Sequence, residues 1–186
     1  MFGTAFSLAL YVGNNVLYTA QSQAQLADSW SASHPTVNAT ASSDPALPVT
    51  FERPRLALGQ PLARIVVPGI GWNGIVLEGT RADVLSGGPG HQLGTAYPGE
   101  PDNVVISNHN SYSLDWGKAR AGDAIILQTN YGTYTYRITG FRVVEASDTS
   151  VAAPTGKPTL TFTTCYPLWA GAVATQRYIV RADLVQ

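Results

Sequence analysis

From Arg64 onward, short β-type runs alternate with turn chemistry, and this alternation limits the fold more than any other feature of the 186-residue chain. The runs are RIVVPGI, GIVLEGT, NVVISNH, DAIILQT, GTYTYRITGFRVVE, TLTFTTC and QRYIVRADLV. They are rich in β-branched and aromatic residues, and no long helical pattern separates them. Turn chemistry falls at Pro68 and Gly69, at Asn130 to Gly132 and at Pro154 to Pro158. The pattern predicts a single all-β domain, an antiparallel or mixed barrel or sandwich. A single helical turn is expected over Arg81 to Leu85, ahead of the bend Gly87, Gly88, Pro89, Gly90. Apolar residues make up 45% of the chain, enough for a core, whereas charged residues are only 12% and the net charge is -1. A chain so weakly charged offers no electrostatic footprint for nucleic acid.

Ahead of this body the chain is organised differently. From Phe2 to Val12 only Gly3, Thr4 and Ser7 interrupt an apolar run, and Leu17, Ala20, Ala24 and Ala27 continue a helical stripe toward Trp30. Eleven helical residues cover about 16 Å, roughly half a bilayer core. The first Lys or Arg is Arg53, so no basic flank marks a signal peptide. Residues 1–30 read as an N-terminal helix, the remnant of a membrane anchor, and equally as a helix packed on the domain; the two readings are compatible. The stretch 31–50 holds seven Ser or Thr, three Pro and four Ala, the composition of a linker. The expected division is therefore a helix at 1–30, a linker and lead-in at 31–58 and a β domain at 59–186. The triplet Asn38, Ala39, Thr40 matches a glycosylation acceptor, a match of little weight.

Cys165 is the only cysteine, so it forms no intrachain disulfide, and the sequence holds no zinc-type cluster. It ends an apolar, Thr-rich run just before Tyr166 and Pro167, where a strand tip can present a nucleophile to a cleft. A lone cysteine is more often a buried core thiol. A reactive one needs a base or cation beside it. His34 falls in the linker, whereas His91 follows GGPG and His109 follows VVISN, so either can face a cleft. Arg177 lies 177 - 165 = 12 residues beyond the cysteine, and a strand out and a strand back would return its guanidinium to the thiol. By period, Arg177 and Arg181 share a face, and an exposed surface arginine fits the pattern as well.

TLTFTTCYP, the arginine of ATQRYIV, the strand end VVISNHN, and GGPGH with YPGEPDN ahead of it together resemble the sortases, the cysteine transpeptidases of bacterial cell surfaces. The resemblance covers about residues 60–186. It implies an eight-stranded β-barrel with short helices that cuts an LPxTG-like or LAxTG sorting signal between Thr and Gly. It makes Cys165 the nucleophile, His109 the general acid and base, and Arg177 the stabiliser of the oxyanion. Thr164, directly before the cysteine, and His91 would contact substrate, and Trp169 would shield the site. The implied partners are surface proteins bearing the signal, a peptidoglycan precursor or other amine acceptor, and the membrane. The implied location is the extracellular face of the bacterial membrane, and neither cofactor nor metal is called for.

Two departures from the family pattern stand out. Phe162 occupies a position where Leu is common, and Ser107, Asn108, His109, Asn110 replaces a run with Gly before the His and Arg or Ser after it. Asp44, Pro45, Ala46 lacks the aromatic of the pilin-sortase lid, and no span follows the body before Gln186, so class E or class D is the nearest relative. Some relatives are regulated by calcium through acidic loop residues; Glu145 and Asp148 are the acidic loop residues to consider here, and are read as a solvated loop. The competing functional readings are a catalytically silent peptide-binding module and a cysteine peptidase that hydrolyses the same signal.

Overall fold

The computed structural model describes residues 2–33 and 53–185, with side chains from Val16 onward. His34, the Asn38 triplet and Asp44 to Ala46 lie outside the described residues. The element order is α1 (Phe2–Ser33), β1 (Pro61–Val67), β2 (Trp72–Glu78), α2 (Ala82–Gly87), β3 (Gly90–His91), β4 (Asn103–Asn108), β5 (Ala124–Gln128), β6 (Thr133–Glu145), β7 (Thr159–Tyr166) and β8 (Gln176–Leu184). The eight strands close in the order β1-β2-β3-β4-β7-β8-β6-β5. Closure leaves no long sheet edge to template aggregation. Two junctions are parallel, β2 with β3 and β4 with β7, and the rest are antiparallel.

Period-two alternation sorts the strands into a core face and an outer face. Ile65, Val67, Val104, Ile106, Ile125, Leu127, Ile138, Leu160, Phe162, Val180 and Ala182 fill the interior. Trp116, from a 3-10 turn over Leu114–Lys118, stacks on Phe162 with ring centroids 3.6 Å apart, and Trp72 meets both edge-on. The expected turns are formed. Pro68–Ile70 is a 3-10 turn closed by Gly71 at φ 64°, a left-handed conformation that glycine adopts without steric cost. Asn130 to Gly132 joins β5 to β6, with the Thr129 N–H donating to the Gly132 carbonyl at 2.8 Å.

The N-terminal helix packs on the barrel, but through a different stripe from the one its apolar residues suggest. Leu17, Ala20 and Ala24 are exposed; the buried residues are Thr19, Gln23 and Trp30, with Leu26 and Ala27 partly covered. Trp30, Leu26 and Ala27 cover Ile75 and Leu77 of β2 and Val84 of α2. Nearer the N-terminus the end of α2 and Ile75 of β2 present backbone polar groups, which call for Thr and Gln rather than Leu and Ala. No helix among the described residues is long and apolar enough to cross a membrane.

Candidate active site

The sequence brings Cys165 and Arg177 together by simple register. β7 and β8 pair antiparallel with Cys165 opposite Arg177, so both side chains leave the same outer face of the sheet. The parallel β4–β7 ladder aligns Asn108 with Thr164, which sets His109, the next residue after β4, beside Cys165, the next residue after Thr164. All three side chains line one cleft of about 350 Å³, together with Thr19, Ser86, Asn110, Ser111, Gly171, Ala172 and Ala174.

Cys165 is a half-exposed free thiol. The half-buried Arg177 donates from Nη1 to the Gln176 carbonyl at 3.0 Å, and forms no salt bridge among the described residues. Its remaining donors are therefore not neutralised by a carboxylate. His109 has extended backbone (φ -73°, ψ 143°) at the start of a 3-10 turn, Asn110–Tyr112. Crowding by the surrounding protein penalises its charged form and lowers its pKa below the usual histidine value, although the residue stays exposed at the cleft mouth.

This shift carries a prediction. Followed by NMR in a Cys165→Ala variant, so that the thiol does not titrate alongside, His109 should show a midpoint below about 6.5. Because the folded state then binds the proton more weakly than the unfolded chain, stability should fall as pH drops from about 6.5 through the lower folded value. A midpoint above 6.5 would mean that a nearby negative charge outweighs burial.

The asparagines flanking His109, the departures noted in the sequence, hold its loop. Asn108 Nδ2 donates to Ser113 Oγ at 3.0 Å, and Ser113 Oγ donates to the His109 carbonyl at 2.8 Å. Asn110, also buried, donates to the carbonyls of Pro167 at 3.3 Å and Gly171 at 3.0 Å, tying the histidine loop to the loop that follows Cys165. Sequence reasoning noted Asn110 only as a departure from the family pattern and did not single out Ser111, Ser86 or Thr19. The unusual SNHN run was the available signal for Asn110, and the other three carried none.

Three residues expected to contact substrate or shield the site do not line the cleft. Thr164 faces the barrel interior and is 2% exposed, because adjacent strand residues point to opposite faces and its neighbour Cys165 points out. His91 is fully buried away from the cleft: its Nδ1 lies 3.1 Å from Glu78 Oε2, and its Nε2 lies 3.0 Å from the Ala96 carbonyl and 3.1 Å from Thr95 Oγ1. Tyr97 donates to the same Glu78 at 3.0 Å, so the histidine is spent on a buried polar cluster. Trp169 is 81% exposed and does not line the cleft. In the acidic loop, Asp148 accepts from the Ser150 backbone and hydroxyl and Glu145 accepts from Gln176 Nε2. Among the described residues no group of three or more His, Cys, Asp or Glu is arranged to hold a metal.

A closed mixed barrel whose outer groove gathers a thiol, an imidazole and a guanidinium holds the groups that covalent catalysis by a cysteine uses. A family model for the sortase domain matches residues 65–185. Sortase D of Bacillus subtilis is 35% identical over 124 residues, 66% of this chain, and the chain spans 63% of that relative's length. Among solved structures, a sortase D transpeptidase from Clostridium perfringens superposes with a TM-score of 0.66 at 31% identity, over 71% of this chain and 83% of that one. A sortase E variant from Streptomyces avermitilis superposes with a TM-score of 0.63 at 31% identity, over 70% and 91% of the two chains. The chain belongs to the sortase family, whose members are cysteine transpeptidases; a sortase C from Clostridium perfringens and sortase A from Corynebacterium diphtheriae superpose with similar TM-scores of 0.62 and 0.63, at 27% and 28% identity.

Proposed function

We propose that the chain is a cysteine transpeptidase that cleaves an LPxTG-like or LAxTG sorting signal between Thr and Gly and transfers the acyl part to a cell-wall amine. The observation that carries this reading is the opening of Cys165, His109 and Arg177 onto one cleft. The Cys165 thiolate attacks the Thr carbonyl, and Arg177 donates to the oxygen as charge develops there. His109 protonates the departing Gly nitrogen as the C–N bond breaks, leaving a thioester on the sulfur. An incoming amine then attacks the thioester, gives its proton to His109 and displaces the thiolate. Acyl donor and acceptor are processed in turn, so ping-pong kinetics follow. No metal or cofactor enters either half.

On this reading the partners are surface proteins carrying the signal and a peptidoglycan precursor or other amine. Sortases are generally membrane-associated cell-surface enzymes, and we extend this to an outer-face location with residues 1–30 as the anchoring segment.

The experiment is mass spectrometry of the products from LPxTG and LAxTG peptides, with and without glycine or diaminopimelate as amine. We expect the aminolysis product to dominate once the amine is present, and slow hydrolysis without it. Equal yields of hydrolysed peptide with and without amine would make the protein a peptidase. Binding without turnover would make it a peptide-binding module.

A further inference from the structure

β3 is only two residues long, and this leaves a gap in the hydrogen bonding of β2. The Leu77 N–H is met by the Pro89 carbonyl and the Gly79 N–H by that of His91, but two residues earlier, at Ile75, β3 has not begun. The side chain of Gln23 fills that position. Its Oε1 accepts from the Ile75 N–H at 2.6 Å, while its Nε2 donates to the Ile75 carbonyl at 3.1 Å and to the Gly87 carbonyl at 2.8 Å. One carboxamide thus stands in for a strand residue, with its oxygen and both amide hydrogens engaged.

The socket is cut to fit. A Cβ on Gly88, whose φ of +150° already disfavours larger residues, would fall on the Gln23 amide, and one on Gly74 would lie 3.1 Å from its oxygen. The GGPG segment therefore has a task apart from turning the chain, which is to make room for α1.

One helical turn before Gln23, Thr19 Oγ1 donates to the Ser86 carbonyl at 2.8 Å, and both residues line the cleft that contains Cys165. α1 also packs against the 3-10 turn directly after His109. If His109 protonates the leaving amine, as proposed above, its side of the cleft is where the amine departs and where the acceptor amine enters. We propose that α1, latched by Gln23, forms the amine-side wall of the cleft, with Thr19, Ser86 and Ser111 contacting the acceptor. Gln23 is a positioning residue, and Thr19 a specificity-determining one.

The test uses the full chain, an LPxTG peptide and glycine amide, with intact-mass detection of the acyl-enzyme. In Gln23→Ala, hydrogen exchange at the Ile75 amide should quicken about tenfold or more as the latch opens. In Gln23→Ala and Thr19→Ala alike, the KM for glycine amide should rise about two- to tenfold, the effect of one lost hydrogen bond, with the KM for peptide moving less. Product should shift from aminolysis toward hydrolysis. Thr19→Leu, which adds bulk and loses the hydroxyl, should change the ranking of small against bulky amines. Circular dichroism and melting show which variants keep the barrel; should Gln23→Ala unfold, the two Thr19 variants decide. Acyl-enzyme formation with an unchanged amine KM and partition in the folded variants would overturn the inference and leave the transpeptidase reading intact. Absence of acyl-enzyme in the unaltered chain would overturn that reading, and this inference with it.

Discussion

Cys165→Ala should abolish the covalent acyl-enzyme and lower turnover of a sorting peptide by about four orders of magnitude or more, the scale seen when the nucleophile of a cooperating catalytic set is removed. Cys165 is the only thiol of the chain, and Thr164, the hydroxyl next to it, points into the barrel. His109→Ala should cost about 10² to 10⁴, the usual worth of a positioned acid and base. The double variant should be little worse than Cys165→Ala alone, because the imidazole has no proton to move without the sulfur. Peptide affinity measured by calorimetry on Cys165→Ala should stay near that of the unaltered chain, because the cleft walls are untouched. Acyl-enzyme or residual turnover persisting in Cys165→Ala would place the chemistry elsewhere.

The strands were legible wherever they were long enough to show a period, and the seven runs in the sequence correspond to seven of the eight strands, although the pattern left barrel and sandwich open. β3 was not, because two residues carry no periodicity, and β3 exists only because β2 and β4 flank it. Counting along a hairpin allowed Arg177 to return to Cys165 but left a surface arginine equally open, and only the β7–β8 register chooses between them. The β4–β7 pairing that brings His109 alongside joins residues 103–108 to 159–164 in parallel, a long-range contact that no local pattern encodes. His109 was therefore found through the family resemblance and not through spacing. His91 and Thr164 lie buried off the cleft, a placement the sequence did not show because a motif names positions but not the direction in which side chains leave the sheet. The docking stripe of α1 escaped detection for a related reason: a buried Gln and Thr look like surface residues unless the backbone groups they satisfy are in view.

Arg177→Lys tests whether shape or charge matters at the oxyanion. The guanidinium carries five N–H donors in a rigid fork and, among the described residues, makes one hydrogen bond, Nη1 to the Gln176 carbonyl, so donors remain for the cleft. Gln176 is itself held by Glu145 across the β6–β8 ladder, which fixes the base of the arginine side chain. A lysine keeps the positive charge, and with it much of the attraction for a thiolate, but it cannot place two parallel donors on one developing oxyanion. Losing such a donor typically raises the barrier by about 2.7 to 4 kcal/mol, or roughly 10² to 10³ in rate. Both Arg177→Lys and Arg177→Ala should therefore lose most of kcat, while the affinity for uncleaved peptide changes far less, because the interaction strengthens only as charge appears on the carbonyl oxygen. Near-native turnover in the lysine variant would show that a point charge suffices and that the fork has no part in the reaction. An equal loss in peptide affinity and in kcat/KM would make Arg177 a ground-state binding residue instead.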